Sequence, residues 1–154
     1  MNDIDYMKIA LDLAKQAWDN DEVPVGALVV DFSDPKNPEI ISKGYNLRET
    51  KNSPSAHAEF LAIEEASKKL GTWRLSECVV YVTLEPCIMC AGLMHQARII
   101  KCVFGAKDPK AGAVSSLYKI NEDARLNHNF EVIGGVLENE CAQLLSDFFK
   151  NKRN

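Results

Sequence analysis

The chain has no apolar run of membrane-spanning length, no even set of regularly spaced cysteines and no excess of positive charge. Each shortage argues against a class of function. Its first residues, Met1-Asn2-Asp3-Ile4-Asp5, are acidic rather than basic, so neither a secretion signal nor a membrane anchor is expected. Five cysteines in irregular spacing fit a disulfide framework poorly and a reducing cytoplasm well. A net charge of −4 argues against coating nucleic acid by charge alone. No internal repeat, low-complexity tract or linker interrupts the 154 residues. Their length fits a single domain, residues 1–154, able to bury a core without staples.

Distribution matters more than the sum of charges. Between Arg98 and Lys119 there are five basic residues and one acidic one, Asp108, and the tail adds Lys150, Lys152 and Arg153. The stretch from Asp3 to Glu22 is mostly acidic. Ordinary solvated surface and a localised basic rim are both compatible with this pattern.

Ile4, Met7, Leu11, Ala14 and Trp18 recur at steps of three and four, the stripe of an amphipathic helix with Asn2 or Asp3 as N-cap. Val25 to Val30 reads as a buried strand, Asp34 to Pro38 as a turn, and Ile40 to Tyr45 as the returning strand of a hairpin. Asn46 to Ser55 is a polar loop. A helix is expected from His57 to Leu70, stopped by Gly71. Val79 to Thr83 is a strand, Pro86 opens a helix from Cys87 to Gln96, and Ile99 to Phe104 is a further strand. Ser115 to Asn129 reads as a helix and a turn, Phe130 to Val136 as a last strand, and Leu137 to Phe148 as a closing helix. Alternating strands and helices, with a hairpin first, predict a three-layer α/β/α sandwich around a mixed five-stranded sheet. The helix from Cys87 to Gln96 is apolar all round and is expected to be buried on every side.

Two short stretches carry chemistry. Cys87 and Cys90, with two residues between them, follow Pro86, and thirty positions upstream of Cys87 stands His57-Ala58-Glu59. With His57 and Cys87 at the starts of their helices, the two thiolates lie about one turn apart, facing unpaired N–H groups that favour anions. A His-Cys-Cys set supplies three ligands that zinc accepts, one ion per chain, and leaves a fourth tetrahedral position for water. Glu59 is then more useful as a proton carrier than as a ligand. A redox pair at Cys87 and Cys90 is a competing reading, but no thioredoxin-like context surrounds them. A structural zinc site closed by His95 is another. On a helix, His95 lies about 7.5 Å beyond Cys90 and is rotated by roughly 140°, a poor position for a ligand. Cys78, Cys102 and Cys141 are expected to be free and buried.

The pair His57-Ala58-Glu59 and Pro86-Cys87-Ile88-Met89-Cys90 resembles the signature of the zinc-dependent nucleobase deaminases. Val23 to Ala27, Asn46 to Thr50, Trp73 to Leu75, Thr83 to Glu85, Gly105 to Lys110 and Phe148 to Asn151 narrow this. Over nearly the whole chain they are similar to bacterial tRNA-specific adenosine deaminases, which have a cytidine deaminase-like fold. The resemblance implies conversion of adenosine to inosine at the wobble position of a tRNA anticodon. It makes His57, Cys87 and Cys90 zinc ligands and Glu59 the proton shuttle. Asn46 would contact the base, and Arg48, Asp108, Lys110, Asn127, Phe149 and Arg153 would contact the anticodon stem-loop. It also implies a homodimer, with the Cys87 to Gln96 helix in its interface. The hairpin loop from Asp34 to Pro38 is longer than the family pattern. A deaminase of free guanine or cytosine shares the metal motif and stays open as an alternative. A zinc-binding RNA module without catalysis would have no use for Glu59.

Overall fold

Alternate residues of the first strand face opposite sides, and both sides are buried. Ala27 and Val29 join one apolar cluster, while Leu28 and Val30 join another. That pattern requires a covering layer on each face of the sheet. The computed structural model, which describes residues 1–153, supplies both layers. Its elements run α1 (Asp3–Asp19), β1 (Gly26–Asp31), β2 (Glu39–Tyr45), α2 (Ala58–Leu70), β3 (Cys78–Leu84), α3 (Ile88–Ala97), β4 (Lys101–Ala106), β5 (Glu131–Ile133) and α4 (Glu138–Arg153). The sheet order is β2-β1-β3-β4-β5. β1 is antiparallel to β2 and β3, and β3, β4 and β5 are mutually parallel. The expected mixed five-stranded sandwich is what the chain forms.

Ala58, Ala62 and Ile63 of α2 and Ala91 and Met94 of α3 pack with Val80, Val82 and Phe104 on one face. Tyr6, Met7 and Ala10 of α1 and Cys141 of α4 pack with Val79, Tyr81 and Val103 on the other. Local chemistry sets the ends of these helices. Asn2 caps α1 through a reciprocal exchange with Asp5. Gly71 closes α2 at φ 71°, a backbone that glycine adopts without steric cost. Among the described residues, no helix is long and apolar enough to cross a membrane.

Three expectations need correction. Helix α3 is not buried on every side. Cys90, Ala91, Met94 and Ala97 face the core, whereas Ile88 is 57% exposed, because one helix laid on a sheet can cover only one flank. The segment from Ser115 to Asn129 holds no α-helix, only a 3₁₀ turn at Ile120–Glu122. The last strand is limited to Glu131–Ile133, since Gly135 takes a left-handed backbone at φ 88° that breaks an extended run. Cys78, Cys102 and Cys141 are free and buried, as expected.

Candidate active site

The pocket lies where the parallel strands β3 and β4 end and β1 begins. Chain leaving β3 passes through Glu85 and Pro86 to Cys87, the N-cap of α3, and His57 is the N-cap of α2. Both helices therefore start at the same place and aim their free N–H ends at it. His57 Nδ1 lies 3.7 Å from Cys87 Sγ and 3.6 Å from Cys90 Sγ. The three donor atoms fall within 4.8 Å of one another, a group that could hold a metal ion. His95 is elsewhere, its Nδ1 3.2 Å from the carbonyl of His128, so it does not join the cluster.

Electrostatics separate the groups. The Cys87 thiol is pulled down to about 4 by a hydrogen bond with Cys90, against the cost of burial and with help from His57. The same hydrogen bond, together with burial, pushes Cys90 up. His57 is raised, chiefly by its contact with Cys87. Glu59, in the first turn of α2, is 4% exposed. Burial pushes its carboxyl up to about 7, although the His57 imidazole and the Cys90 thiol pull the other way. A carboxyl poised near neutrality beside the cluster can both take and give a proton.

The cavity measures about 220 Å³ and is lined by His57, Glu59 and Cys87 on its floor, with Asn46, Arg48, Asp108 and Ala111 among its walls. Asn46 is buried. Its Nδ2 donates to the Val23 carbonyl at 3.2 Å and its Oδ1 accepts from Arg48 N–H at 3.1 Å. One amide hydrogen of Asn46 is left for a ligand. Asp108 Oδ1 accepts from the N–H groups of Lys110 and Ala111, so its side chain also shapes its own turn.

A family model described as MafB19-like deaminase matches residues 1–153. The chain is 51% identical over 148 residues to a tRNA-specific adenosine deaminase of Bacillus subtilis, covering 96% of this chain and 89% of that one. The chain belongs to the tRNA-specific adenosine deaminase family. A relative of the same name from Haemophilus influenzae is 46% identical, over 96% of this chain and 83% of its own. A solved structure from studies of A-to-I editing by tRNA:A34 deaminases superposes with a TM-score of 0.83 at 38% identity, over 90% of this chain and 97% of that chain. Membership in the tRNA-specific adenosine deaminase family makes the protein an enzyme, a hydrolase acting on carbon–nitrogen bonds. The cytidine deaminase-like fold expected from the family is the fold observed.

The remaining expected site residues are scattered. Lys110 is exposed on the loop after β4 and does not line the pocket. Phe149 is 46% exposed on α4. Its neighbour Phe148 packs edge-on against Trp18, and Lys152 pairs with Asp21 at 2.5 Å. These contacts bring the end of α4 beside an open groove shared with Arg48. Asn127 is exposed before β5 and lines neither cavity. The Arg153 side chain lies outside the described residues.

Two residues that sequence reasoning passed over, Glu22 and Glu85, turn out to be central. Both are buried carboxylates: Glu85 borders the pocket and Glu22 the adjoining groove that Arg48 shares with it. Glu85 stood at the end of the family-like stretch Thr83 to Glu85, directly before Pro86, without a role attached; Glu22 carried no such signal.

Proposed function

We propose that this single-domain enzyme hydrolyses adenosine to inosine at the wobble position of a tRNA anticodon, using one zinc ion held by His57, Cys87 and Cys90. The observation that carries the reading is the His-Cys-Cys cluster with buried Glu59 beside it in a one-base pocket. Tetrahedral zinc, with Zn–S near 2.3 Å and Zn–N near 2.05 Å, requires ligand N···S separations of about 3.6 Å. The 3.7 and 3.6 Å separations from His57 Nδ1 fit that requirement. When bound there, zinc supplies the Lewis acidity that makes water nucleophilic near neutral pH.

The chain's own residues do the rest. Glu59 takes a proton from the attacking water and passes it to ring N1 as oxygen adds to C6. It then carries the remaining hydroxyl proton of the added oxygen to the amino group, the C6–N bond breaks as the C6 carbonyl forms, and ammonia leaves. The cavity of about 220 Å³ falls below the roughly 300–1,000 Å³ typical of drug-sized ligands. It suits one planar base turned out of its strand, with the sugar and its neighbours outside. The free amide hydrogen of Asn46 would meet that base. Arg48 and Asp108 at the rim, with Lys110, Asn127, Phe149 and Arg153 beyond it, would meet the anticodon loop. A short unstacked loop needs few phosphate contacts, which agrees with the modest charge.

The uncovered flank of α3 supports a homodimer. Ile88 and Trp73 are each 57% exposed, and Trp73, Ile63, Leu93 and Ala97 border one apolar groove. Sedimentation showing a stable monomer at micromolar concentration would remove this part. Five free cysteines, two of which must stay reduced to bind metal, suit the cytoplasm.

The deciding experiment offers the protein an anticodon hairpin with adenosine at the wobble position, alongside free guanine, cytosine and cytidine. Inosine from the hairpin alone supports the reading. Turnover of a free base with an untouched hairpin sinks it in favour of a free-base deaminase.

A further inference from the structure

Two walls of the pocket are loops, residues 46–57 and 107–117, with no helix or strand to satisfy their backbone amides. Such amides normally turn to water. Here six of them turn inward to two buried carboxylates. Glu22 accepts from Glu49 N–H at 3.1 Å, Thr50 N–H at 2.6 Å and the Thr50 hydroxyl at 2.7 Å. Glu85 accepts from the N–H groups of Asp108 at 3.0 Å, Val114 at 3.3 Å, Ser115 at 2.9 Å and Ser116 at 2.9 Å, and from the Ser116 hydroxyl.

The second loop is shaped to close on its anchor. A Cβ at Gly112 would come within 2.2–2.4 Å of the Glu85 carboxyl atoms, so only glycine lets the backbone cover the carboxylate. Next to it, Ala113 N–H donates to the Pro86 carbonyl at 2.9 Å, and Gly112 bridges to Cys87. The loop is thereby fastened to the turn that presents Cys87. Three donors on Glu22 and five on Glu85 all favour the anion, which suits each carboxylate to holding its loop rather than to carrying protons.

We propose that Glu22 and Glu85 are positioning residues that each fix one loop at the pocket mouth, Arg48 on one side and Asp108 on the other, and so set the opening that admits one nucleotide of a folded RNA. The proposal deepens the reading of the site as an RNA deaminase and rests on it. Exchange of either carboxylate for an amide turns an NH₂ donor toward N–H groups that need an acceptor. That loosens the loop while leaving His57, Glu59, Cys87 and Cys90 on their helices.

The test compares the native enzyme with Glu22→Gln, Glu85→Gln and the milder Ser116→Ala, all loaded with zinc and acting on the adenosine hairpin. KM is expected to rise about tenfold in each glutamine variant and about twofold in Ser116→Ala, with kcat falling by less and zinc content unchanged. Amide exchange should accelerate at Glu49 and Thr50 only in Glu22→Gln, and at Asp108 and 114–116 only in Glu85→Gln. An unchanged KM in variants whose unfolding transition shows a fully folded population overturns the proposal, as does unchanged exchange. If Glu85→Gln fails to fold, Ser116→Ala decides by the same KM and exchange criteria. A native enzyme that leaves the hairpin untouched sinks the RNA reading instead, and loop-specific exchange, which needs no substrate, still judges the anchors.

Discussion

The floor of the pocket is built from helix ends and its mouth from loops, and buried glutamates serve opposite purposes in the two. Glu59 on the floor is raised to about 7 because burial outweighs the few groups that favour its anion. Glu22 and Glu85 at the mouth are also buried, and burial alone would raise them. Hydrogen bonds from Thr50 and Glu49, and from Ser116, Asp108 and Val114, outweigh it, and both carboxyls are held below their usual range. Burial therefore does not assign a carboxylate its task. The supply of donors does: a group short of donors can exchange a proton, and one saturated with them can only hold what surrounds it.

The sharpest way to break this contrast is at the floor. Glu59→Gln should lower turnover of the hairpin by about 10²-fold to 10⁴-fold or more while zinc content stays at one per chain. Single-turnover kinetics beside metal analysis would show it. A variant retaining a tenth of native activity would mean the proton travels another way.

At the mouth, Gly112→Ala sets a methyl against the Glu85 carboxylate and should cost about 1–3 kcal/mol of stability, the range for forced overpacking. Urea denaturation measures this directly. An unchanged midpoint would show that the loop moves aside freely and that Glu85 is a weaker tether than its bonds suggest.

Acid should reveal the other tether. The folded-state pKa of Glu22 is lowered, so below the unfolded value of about 4.3 the unfolded chain binds the proton first. The stabilisation is fully present above that value and is lost as pH falls through the lower folded one. The difference in unfolding free energy between native protein and Glu22→Gln should thus shrink below about pH 4.3. A difference that stays constant from pH 7 to 3 would contradict this.

The smallest effect concerns the rim. Lys110→Ala should weaken hairpin binding and make the slope of log K against log salt shallower by about 0.7, one phosphate contact on a single strand. An unchanged slope removes Lys110 from the RNA surface.

Much of this architecture was legible from residue order. The apolar stripes announced α1 and α4, the run after Val25 announced a two-sided strand, and Gly71 ended α2 where expected. The His-Cys-Cys cluster was legible because its residue types are scarce and chemically committed. What stayed hidden was held by backbone. Glu22 pairs with amides 27 and 28 residues away, and Glu85 with amides up to 31 away, and a backbone N–H leaves no mark in the alphabet of side chains. The same cause explains the helix expected after Ser115. The amides of 114, 115 and 116 converge on Glu85, and those of Leu117 and Tyr118 turn back to the Gly112 carbonyl, so the segment folds around an acceptor no local pattern reveals. For α3, an all-round apolar surface said nothing about which flank the sheet would cover.

The placement of the pocket at the ends of β3 and β4 has a consequence for anyone wishing to redirect this enzyme. The His-Cys-Cys cluster and Glu59 ride on two helix starts, while the loops at the mouth hang on two pegs, Glu22 and Glu85. A graft between 46 and 57 must keep Asn46 and His57 in place, and one between 107 and 117 must keep the contacts of Gly112 and Ala113 with the turn that presents Cys87. Each graft must return a few amides to the peg it inherits.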